Sequence, residues 1–317
     1  MLRVLILLLM WCAPGVGEAV EFPTKTLTII VPFSPGGGTD VQARLIAKSL
    51  SSKLGKPVIV DNRPGAGGQI AASLAARATP DGHTLLLGST GTLVLGAVLK
   101  EVDPLQDFAP VSEVTEMPLV LVPSPELPAK DVSQLLALAR SKPGQLTYAS
   151  AGTGSFPHLI GEMFKTAAHV DIVHVPYKGA APALVDVLGN QVSIAFVTPV
   201  AAISQVRAGK LRALAVSGTR RLPALPEVPT LTEAGVNGVD MPVWFGFVVP
   251  KRTPSAVLSR LHKEITEVVN SAEFRSTAQS EGAFVVGSTP NEFALRIRAD
   301  TATIAKVVKA TNLKLEE

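Results

Sequence analysis

Three glycine-rich segments that could bind an anion occur where a buried strand is predicted to pass into a helix. The first covers residues 31–40 and contains three consecutive glycines at 36–38. The second covers residues 148–155, with His158 one turn further on, and the third covers residues 175–180. The first N–H groups of a helix have no partner within it, and the helix dipole is positive at that end. Glycines let an anion reach those groups, so each segment is a candidate anion site.

The spacing alone leaves two interpretations of the first segment equally open. It could be an anion site, or an ordinary strand-to-helix turn with Thr39 or Asp40 as the N-cap. Loops at the carboxyl ends of strands are where open α/β sheets bind ligands. One dipole contact stabilises an anion by about 0.3–1 kcal/mol, whereas micromolar binding requires about 8 kcal/mol. The hydroxyls of Ser34, Thr39 and Ser155, backbone N–H groups, ordered water and cleft closure must therefore supply the rest.

The motifs of several enzyme classes are missing from the sequence. There is no G-x-x-x-x-G-K-[ST], no G-x-S-x-G and no H-E-x-x-H. Residues 65–70 imitate a dinucleotide fingerprint, but Ile70 stands at the last glycine position, which favours a structural turn. The five histidines lack metal-ligand spacing, and the single cysteine excludes a CxxC site. We expect no cofactor and no metal; an enzyme using Asp40, Ser155 or His158 is the least favoured hypothesis.

The composition is that of a folded protein with a large core. The chain has 317 residues, of which 47% are hydrophobic and 17% charged, so intrinsic disorder is excluded and about two domains are expected. The 29 Lys+Arg residues barely outnumber the 26 Asp+Glu residues and are dispersed. With only two Trp, two Tyr and 11 Phe residues, a nucleic-acid partner is not expected.

The first 19 residues have the pattern of a secretory signal peptide. Arg3 precedes an apolar run at residues 4–11, and small residues then lead to a predicted cleavage after Ala19. A run this short cannot span ~30 Å of hydrocarbon as a stable anchor. Cys12 raises the alternative of a lipid anchor, but Trp11 stands where a lipoprotein signal needs a small residue. We therefore expect an exported, periplasmic protein.

Strand and helix patterns alternate along the chain in two sets. The first set predicts strands at 27–33, 58–61 and 84–88 and helices at 41–54 and 68–77. The second predicts strands at 146–150, 172–175, 192–197 and 211–216 and helices at 156–167, 181–188 and 200–208. The proline-rich stretch 117–128 is interpreted as a crossing between sheets, and residues 243–249 as a strand that returns to the first sheet. Helices around 258–268 and at 291–308, capped by Thr289, close the chain.

This alternation predicts an α/β fold with two lobes. Lobe one is expected at residues 20–117 and 245–317, and lobe two at residues 118–244. Two crossings between the lobes would allow them to hinge, and a ligand cleft is expected between them.

The chain resembles the extracytoplasmic solute receptors of the tripartite tricarboxylate transporter family, also called Bug proteins. The resemblance spans nearly all of the chain after the signal segment. It rests on ordered motifs at residues 29–47 (IIVPFSPGGGTDVQARLIA), 58–72 (VIVDNRPGAGGQIAA), 80–89 (PDGHTLLLGS), 148–162 (YASAGTGSFPHLIGE) and 174–192 (HVPYKGAAPALVDVLGNQV), and on the strand around Trp244.

The resemblance implies a type II periplasmic binding protein, or Venus flytrap, in which each lobe is a mostly parallel sheet flanked by helices. It implies a receptor without catalysis that holds a small organic carboxylate between the lobes and delivers it to a large and a small membrane subunit. We expect the receptor to be a monomer. The ligand-binding residues that it implies, together with those suggested by spacing, are Phe33, Ser34, Gly36, Gly37, Gly38, Thr39, Asp40, Ser89, Thr90, Gly152, Thr153, Gly154, Ser155, His158, Tyr177, Lys178, Gly179 and Thr198.

Two positions depart from the family pattern, and one alternative function stays open. Ser34 stands where the family often has Ala, and Phe156 follows the second glycine loop where smaller or polar residues are common. Phe156 could narrow the cleft or flank it, and either would change which ligand fits. The alternative function is a ligand-binding sensor subunit that feeds a two-component signalling kinase.

Overall fold

The structure, a computed structural model, describes residues 22–36 and 38–311. The predicted signal peptide and Gly37 lie outside the described residues. In chain order the strands are β1 (Leu27–Val31), β2 (Val58–Asn62), β3 (Thr84–Ser89), β4 (Phe108–Met117), β5 (Val120–Pro123), β6 (Thr147–Ser150), β7 (Val173–Pro176), β8 (Ile194–Val197), β9 (Ala215–Val216), β10 (Val243–Pro250) and β11 (Phe284–Val285).

The helices connect these strands and cover the sheets. They are α1 (Gly38–Leu54), α2 (Gln69–Ala76), α3 (Gly96–Val98), α4 (Val132–Ser141), α5 (Phe156–Ala168), α6 (Ala180–Leu188), α7 (Pro199–Arg207), α8 (Ser255–Val269), α9 (Ala272–Ser280) and α10 (Pro290–Thr311). A 3-10 turn, Ala66–Gly68, leads into α2, and a π-helical turn, Thr90–Leu95, leads into α3. None of the helices in the described part of the chain is both long and apolar enough to cross a membrane.

The strands form two sheets. The six-stranded sheet has the order β11-β4-β10-β3-β1-β2, and the five-stranded sheet has the order β7-β6-β8-β5-β9. Strands that follow a helical crossover pair in parallel, as β1 does with β2 and β3, and β6 with β7 and β8. The strands at the crossings between the sheets, β4, β5 and β10, pair antiparallel. Each sheet is therefore mixed, rather than mostly parallel as expected, and the chain crosses between the two sheets twice.

The buried strands and helices follow directly from the apolar pattern. Strand β1 is buried on both faces except at Thr28, as expected for a central strand with helices on both sides. Helix α1 buries Ala43, Ile46, Ala47 and Leu50, which form one stripe at helical spacing, against the same sheet.

One hydrophobic cluster continues from the first sheet into the second. It includes Leu86 of β3, Trp244 of β10 and Phe293 of α10, together with Tyr148 and Phe164 on the other side. The rings of Trp244 and Phe293 meet edge to face with centroids 5.0 Å apart, and Trp244 Nε1 donates to Asp300 at 2.7 Å. The final helix thus packs on the first sheet and contacts α5, which covers the second sheet, and so ties the two together.

Several elements differ from the sequence expectation. Residues 211–214 do not belong to a strand: β9 consists of Ala215 and Val216, which pair with the first two residues of β5. The proline-rich stretch contains a short strand, β5, that ends at Pro123, where the missing N–H costs no inner ladder bond.

The final helix begins as expected: Thr289 Oγ1 accepts from the N–H of Glu292, whose carboxylate accepts from the N–H of Thr289.

Candidate functional site

Three loops meet at one edge of the first sheet because β1, β2 and β3 are parallel and end together. They are the glycine-rich loop before α1, the turn before α2 and the π-helical turn after β3. Gly68 lies where they touch: its φ is +96°, and a Cβ there would lie 2.6 Å from Thr92 Oγ1 and 3.0 Å from the Cβ of Pro32. Only glycine permits this approach, so the loops form one surface.

Asp40 braces the first glycine loop. It is 3% exposed, and its Oδ2 accepts from the N–H of Gly36 and from Arg44 Nε, both at 2.9 Å. Its Oδ1 accepts from Asn62 Nδ2 at 2.9 Å, and the same amide donates to the carbonyl of Phe33. Burial raises the pKa of Asp40, but these hydrogen bonds outweigh it and hold the pKa below its ordinary value. Both carboxylate oxygens are therefore engaged in shaping the loop.

The amino end of α1 keeps free donors. Within the described residues, no acceptor is found for the backbone N–H of Gly38 or of Thr39, which lie in the first helical turn. Gly38 and Ser34 are exposed, and Thr39 is half-buried. The ring of Phe33 packs edge to face on Phe245, with centroids 6.2 Å apart.

Ser89 and Thr90 lie at the same edge, but their hydroxyls are already bonded. Ser89 Oγ caps the π-helical turn by accepting from the N–H of Thr92 at 3.2 Å. Thr90 is fully buried, and its Oγ1 accepts from the N–H of Trp244 at 3.0 Å. Both side chains therefore help to position this turn.

The second sheet presents an equivalent edge. Ser150 of β6 pairs with Pro176 of β7, and β8 ends beside them, so the loops before α5, α6 and α7 share one side. Gly152, at φ +128°, lies so close to the next loop that a Cβ would be 3.2 Å from the carbonyl oxygen of Tyr177. The second and third glycine-rich segments are thus in direct contact.

His158 braces the second glycine loop as Asp40 braces the first. Its Nδ1 accepts from the N–H of Gly154 at 3.1 Å, and its own N–H donates to Ser155 Oγ, the N-cap of α5, at 3.4 Å. The N–H of Ser155 donates to the carbonyl of Gly152. Among the described residues, the N–H of Thr153 has no such partner.

Two imidazoles stack beneath this loop. The rings of His158 and His174 are 3.8 Å apart and 7° from parallel, and the ring of Tyr148 lies beside them, 4.9 Å from His174 and 6.4 Å from His158. Burial lowers the pKa of His158, and burial together with His158 lowers the pKa of His174 to about 4. Both rings are therefore neutral at pH 7. Ser150 Oγ lies 2.7 Å from His174 Nε2 and joins the stack to the strand end.

The remaining candidates of the second edge differ in exposure. Tyr177 donates its hydroxyl to Asp186 at 2.6 Å, and burial followed by that bond raises its pKa to about 12. Lys178 is exposed and makes no ion pair within the described residues. Gly179 and Thr198 are the N-caps of α6 and α7, without a side-chain cap bond at either helix. Phe156 is 8% exposed and belongs to the hydrophobic cluster, so its ring flanks the loop from the core.

A short turn of the first lobe connects the two edges. A Cβ on Gly38 would lie 3.2 Å from the carboxylate of Glu281, which follows α9. The next residue, Gly282, lies against Pro199 at the start of α7, with no room for a side chain. The amino ends of α1 and α7, one from each sheet, are therefore bridged by two consecutive residues.

Sequence reasoning missed several residues that form this site. Asn62 and His174 lie within the quoted motifs, and their position at a strand end is the signal that could have identified them. Glu281 carries no signal in the sequence, since its role depends on where α9 ends in space.

Two sheets with helix amino ends gathered at adjoining edges define a periplasmic solute-binding protein. The chain belongs to the tripartite tricarboxylate transporter family of receptors, whose model matches residues 42–313. It is 37% identical over 303 residues to Protein BugT of Bordetella pertussis, covering 94% of this chain and 93% of that protein. The predicted family and two-lobed fold are thus confirmed.

Solved structures of relatives show the same architecture. A protein of R. palustris, solved with adipate, is 35% identical and superposes with a TM-score of 0.80 over 92% of this chain and 99% of that one. MatC from Rhodopseudomonas palustris, solved with bound malate, is 33% identical with a TM-score of 0.78, covering 90% and 100%. The family and these neighbours are solute-binding receptors rather than enzymes.

Proposed function

We propose that this receptor captures a small organic carboxylate between its two lobes and delivers it to a large and a small membrane subunit. The lobes follow the two sheets, with crossings between β4 and β5 and between β9 and β10; we place them near residues 20–117 with 245–317, and 118–244. Relatives of similar sequence hold adipate and malate, which are both small dicarboxylates.

The observation that carries this proposal is the bridge between the amino ends of α1 and α7 through Glu281 and Gly282. Each helix amino end carries a partial positive charge and unpaired N–H donors. Helices α1 and α2 begin at the edge of the first sheet, and α5, α6 and α7 begin at the edge of the second. Their combined potential favours an anion where the edges adjoin, and the exposed Lys178 adds to it.

The groups at the two loops have two roles: some donate to the ligand, and others hold the loops in shape. We assign contact with the ligand to the unpaired backbone N–H groups of Gly38, Thr39 and Thr153 and to the hydroxyls of Ser34 and Thr39. We assign Asp40 and His158 to holding the two loops in shape, because their acceptor atoms already bind loop N–H groups. Phe33, Tyr177, Gly179 and Thr198 would line the cleft around the anion.

Export and assembly complete the proposal. A structural relative, BugD, is a periplasmic binding protein. We infer that this receptor is exported and that its signal segment is cleaved near Ala19. We also infer that the mature receptor is a monomer. The alternative of a sensor subunit for a signalling kinase finds no support in the family or in these relatives.

The ligand can be identified by native mass spectrometry of receptor purified without denaturation, since a retained metabolite reveals its mass. Calorimetric titration with mono-, di- and tricarboxylates and with the matching amides then tests the charge. We expect micromolar or tighter binding of at least one acid, with its amide at least 100-fold weaker. Equal affinity for acid and amide would overturn the proposal.

Thr39→Pro removes both the backbone N–H and the hydroxyl that we assign to the ligand, and proline in the first helical turn breaks no helical hydrogen bond. The expected result is at least tenfold weaker binding of the same acid. Ala272→Pro is the matched control, since it removes a first-turn N–H of α9 far along the chain from the loops. Equal losses in both variants would show that the α1 donor is not part of the site.

A further inference from the structure

Glu281 places a carboxylate beside the free donors of α1. The group lies 3.2 Å from where a Cβ of Gly38 would stand, and its Oε2 accepts from Gln42 Nε2 at 2.6 Å. Glu281 is thus held next to the first turn of the helix whose N–H groups we assign to the ligand.

The position of this carboxylate is fixed by buried neighbours. Gln42 is 1% exposed, and its Oε1 accepts from Thr115 Oγ1 at 2.9 Å. Because the amide oxygen is engaged by Thr115, the amide NH₂ must point toward Glu281. The chain of bonds from Thr115 through Gln42 therefore orients the carboxylate instead of leaving it to rotate in solvent.

Among the described residues, the negative charge of Glu281 has no ionic partner. No Lys, Arg or His forms an ion pair with it in the described part of the chain, and no donor is found there for its Oε1. Burial raises its pKa above the ordinary range, and only the bond from Gln42 opposes this. A carboxylate that is held, partly desolvated and without a second donor among the described residues can accept a hydrogen bond from a bound molecule.

This free acceptor also lies where the lobes adjoin, since Gly282, the next residue, packs on Pro199 of the second sheet. A ligand held at the amino end of α1 would therefore meet two chemical groups: N–H donors that bind an anion, and an oxygen that repels one.

We propose that Glu281 is a specificity-determining residue that selects carboxylates bearing a proton-donating substituent, an ammonium or a hydroxyl, next to the bound carboxylate group. This inference rests on the proposed carboxylate-binding function. The substituent donates to Glu281 Oε1 while the carboxylate accepts from α1. An acid without it leaves Glu281 unpaired beside a second negative charge, which is disfavoured.

The test compares acids of equal carbon skeleton by calorimetry at pH 7.5. The probes are succinate, malate and aspartate, with glutarate, 2-hydroxyglutarate and glutamate as a longer series. For the series that binds, we expect the native receptor to prefer a substituted acid over the unsubstituted one by at least fivefold. Glu281→Gln, which keeps the shape and a bond to Gln42, should reduce that ratio below twofold by improving the unsubstituted acid.

Glu273→Gln serves as the matched control, because it removes an exposed charge from the same helix at its far end. It should keep the native ratio. A preference for the unsubstituted acid, or an unchanged ratio in Glu281→Gln, would overturn this inference and leave carboxylate binding intact. Failure of every acid to bind both proteins would instead contradict the proposed function itself.

Discussion

His158 and His174 lie face to face, with ring centroids 3.8 Å apart and planes 7° from parallel, directly beneath the second glycine loop. One ring nitrogen of each histidine already has a partner: His158 Nδ1 accepts from the N–H of Gly154, and His174 Nε2 is hydrogen-bonded to Ser150 Oγ. Two charged imidazoles could not stack so closely, so the shape of the loop depends on both rings being neutral.

Acid is therefore expected to destabilise the receptor through this pair. The pKa of His174 is lowered from 6.5 to about 4 by burial and then by His158, so the unfolded chain takes up a proton that the folded chain does not. Stability then rises with pH between about 4 and 6.5 and is fully present above that range; the shift is worth at most about 3 kcal/mol. His174→Phe should flatten the difference between urea unfolding free energies measured at pH 4.5 and 7.5.

The control for this prediction is His169→Asn. His169 is exposed at a left-handed helix end with φ +52°, a conformation that Asn tolerates. The native pH dependence should persist in that variant. A His174→Phe protein with an unchanged slope would contradict the prediction, whereas a uniform loss of about 1 kcal/mol at both pH values would reflect only the lost bond to Ser150.

Glu113 is expected to act in the opposite direction. It is 4% exposed, its Oε1 has no partner in the described structure, and burial raises its pKa to about 7, with Arg296 opposing the shift. The folded state therefore retains a proton that the unfolded state releases above pH 4.5, and this contribution is lost as pH rises through 7. Glu113→Gln should raise the free energy of unfolding at pH 8 by about 1–3 kcal/mol.

The same substitution should have little effect at pH 5, where native Glu113 is protonated and resembles Gln. The exposed Glu101→Gln serves as the control and should be neutral at both values. Thermal unfolding at the two pH values decides the matter: a Glu113→Gln variant that is less stable at pH 8 would show that the ionised form is well solvated by its neighbours.

Removing the charge of Asp40 is expected to loosen the first glycine loop. Asp40→Asn weakens the bonds from Gly36 and Arg44, and hydrogen bonds to charged groups contribute about 1.5–3 kcal/mol each. We expect a stability loss of about 1–2 kcal/mol and at least fivefold weaker carboxylate binding by calorimetry. Asp61→Asn, which breaks a surface pair with Arg63, is the control and should change neither quantity appreciably.

Gly152 is expected to tolerate no side chain. Gly152→Ala combines a φ of +128° with a Cβ 3.2 Å from the carbonyl of Tyr177, so the two contacting loops must separate. We expect a loss of more than 2 kcal/mol in urea unfolding and a loss of binding. Gly209→Ala shares the positive φ, +68°, but meets nothing within 4 Å, so its cost should be about 1 kcal/mol without an effect on affinity. Equal effects at both positions would refute the contact argument.

Local periodicity is sufficient to predict much of the fold, as three elements illustrate. The run at β1, the apolar stripe of α1 and the capping box at Thr289 each depend on neighbours within a few residues. Strand β4 escaped prediction because it mixes buried polar residues such as Ser112 and Thr115 with apolar ones, which removes the alternation expected of a strand. The partners of these polar groups are residues remote in the chain, as in the hydrogen bond that Thr115 Oγ1 donates to Gln42 Oε1.

The sequence by itself determined that glycines follow buried strands and precede helices. That order can be predicted because it depends on the conformational preferences of neighbouring residues, and the family motifs contain the same order. Only the tertiary structure decided which side chains hold those loops and which remain free. Asp40 and His158 accept hydrogen bonds from loop N–H groups. Glu281 lies beside α1 although it is more than 200 residues further along the chain. Hydrogen bonds and electrostatic interactions depend on the distance between two groups in space, and for residues remote in the chain that distance is set only by folding.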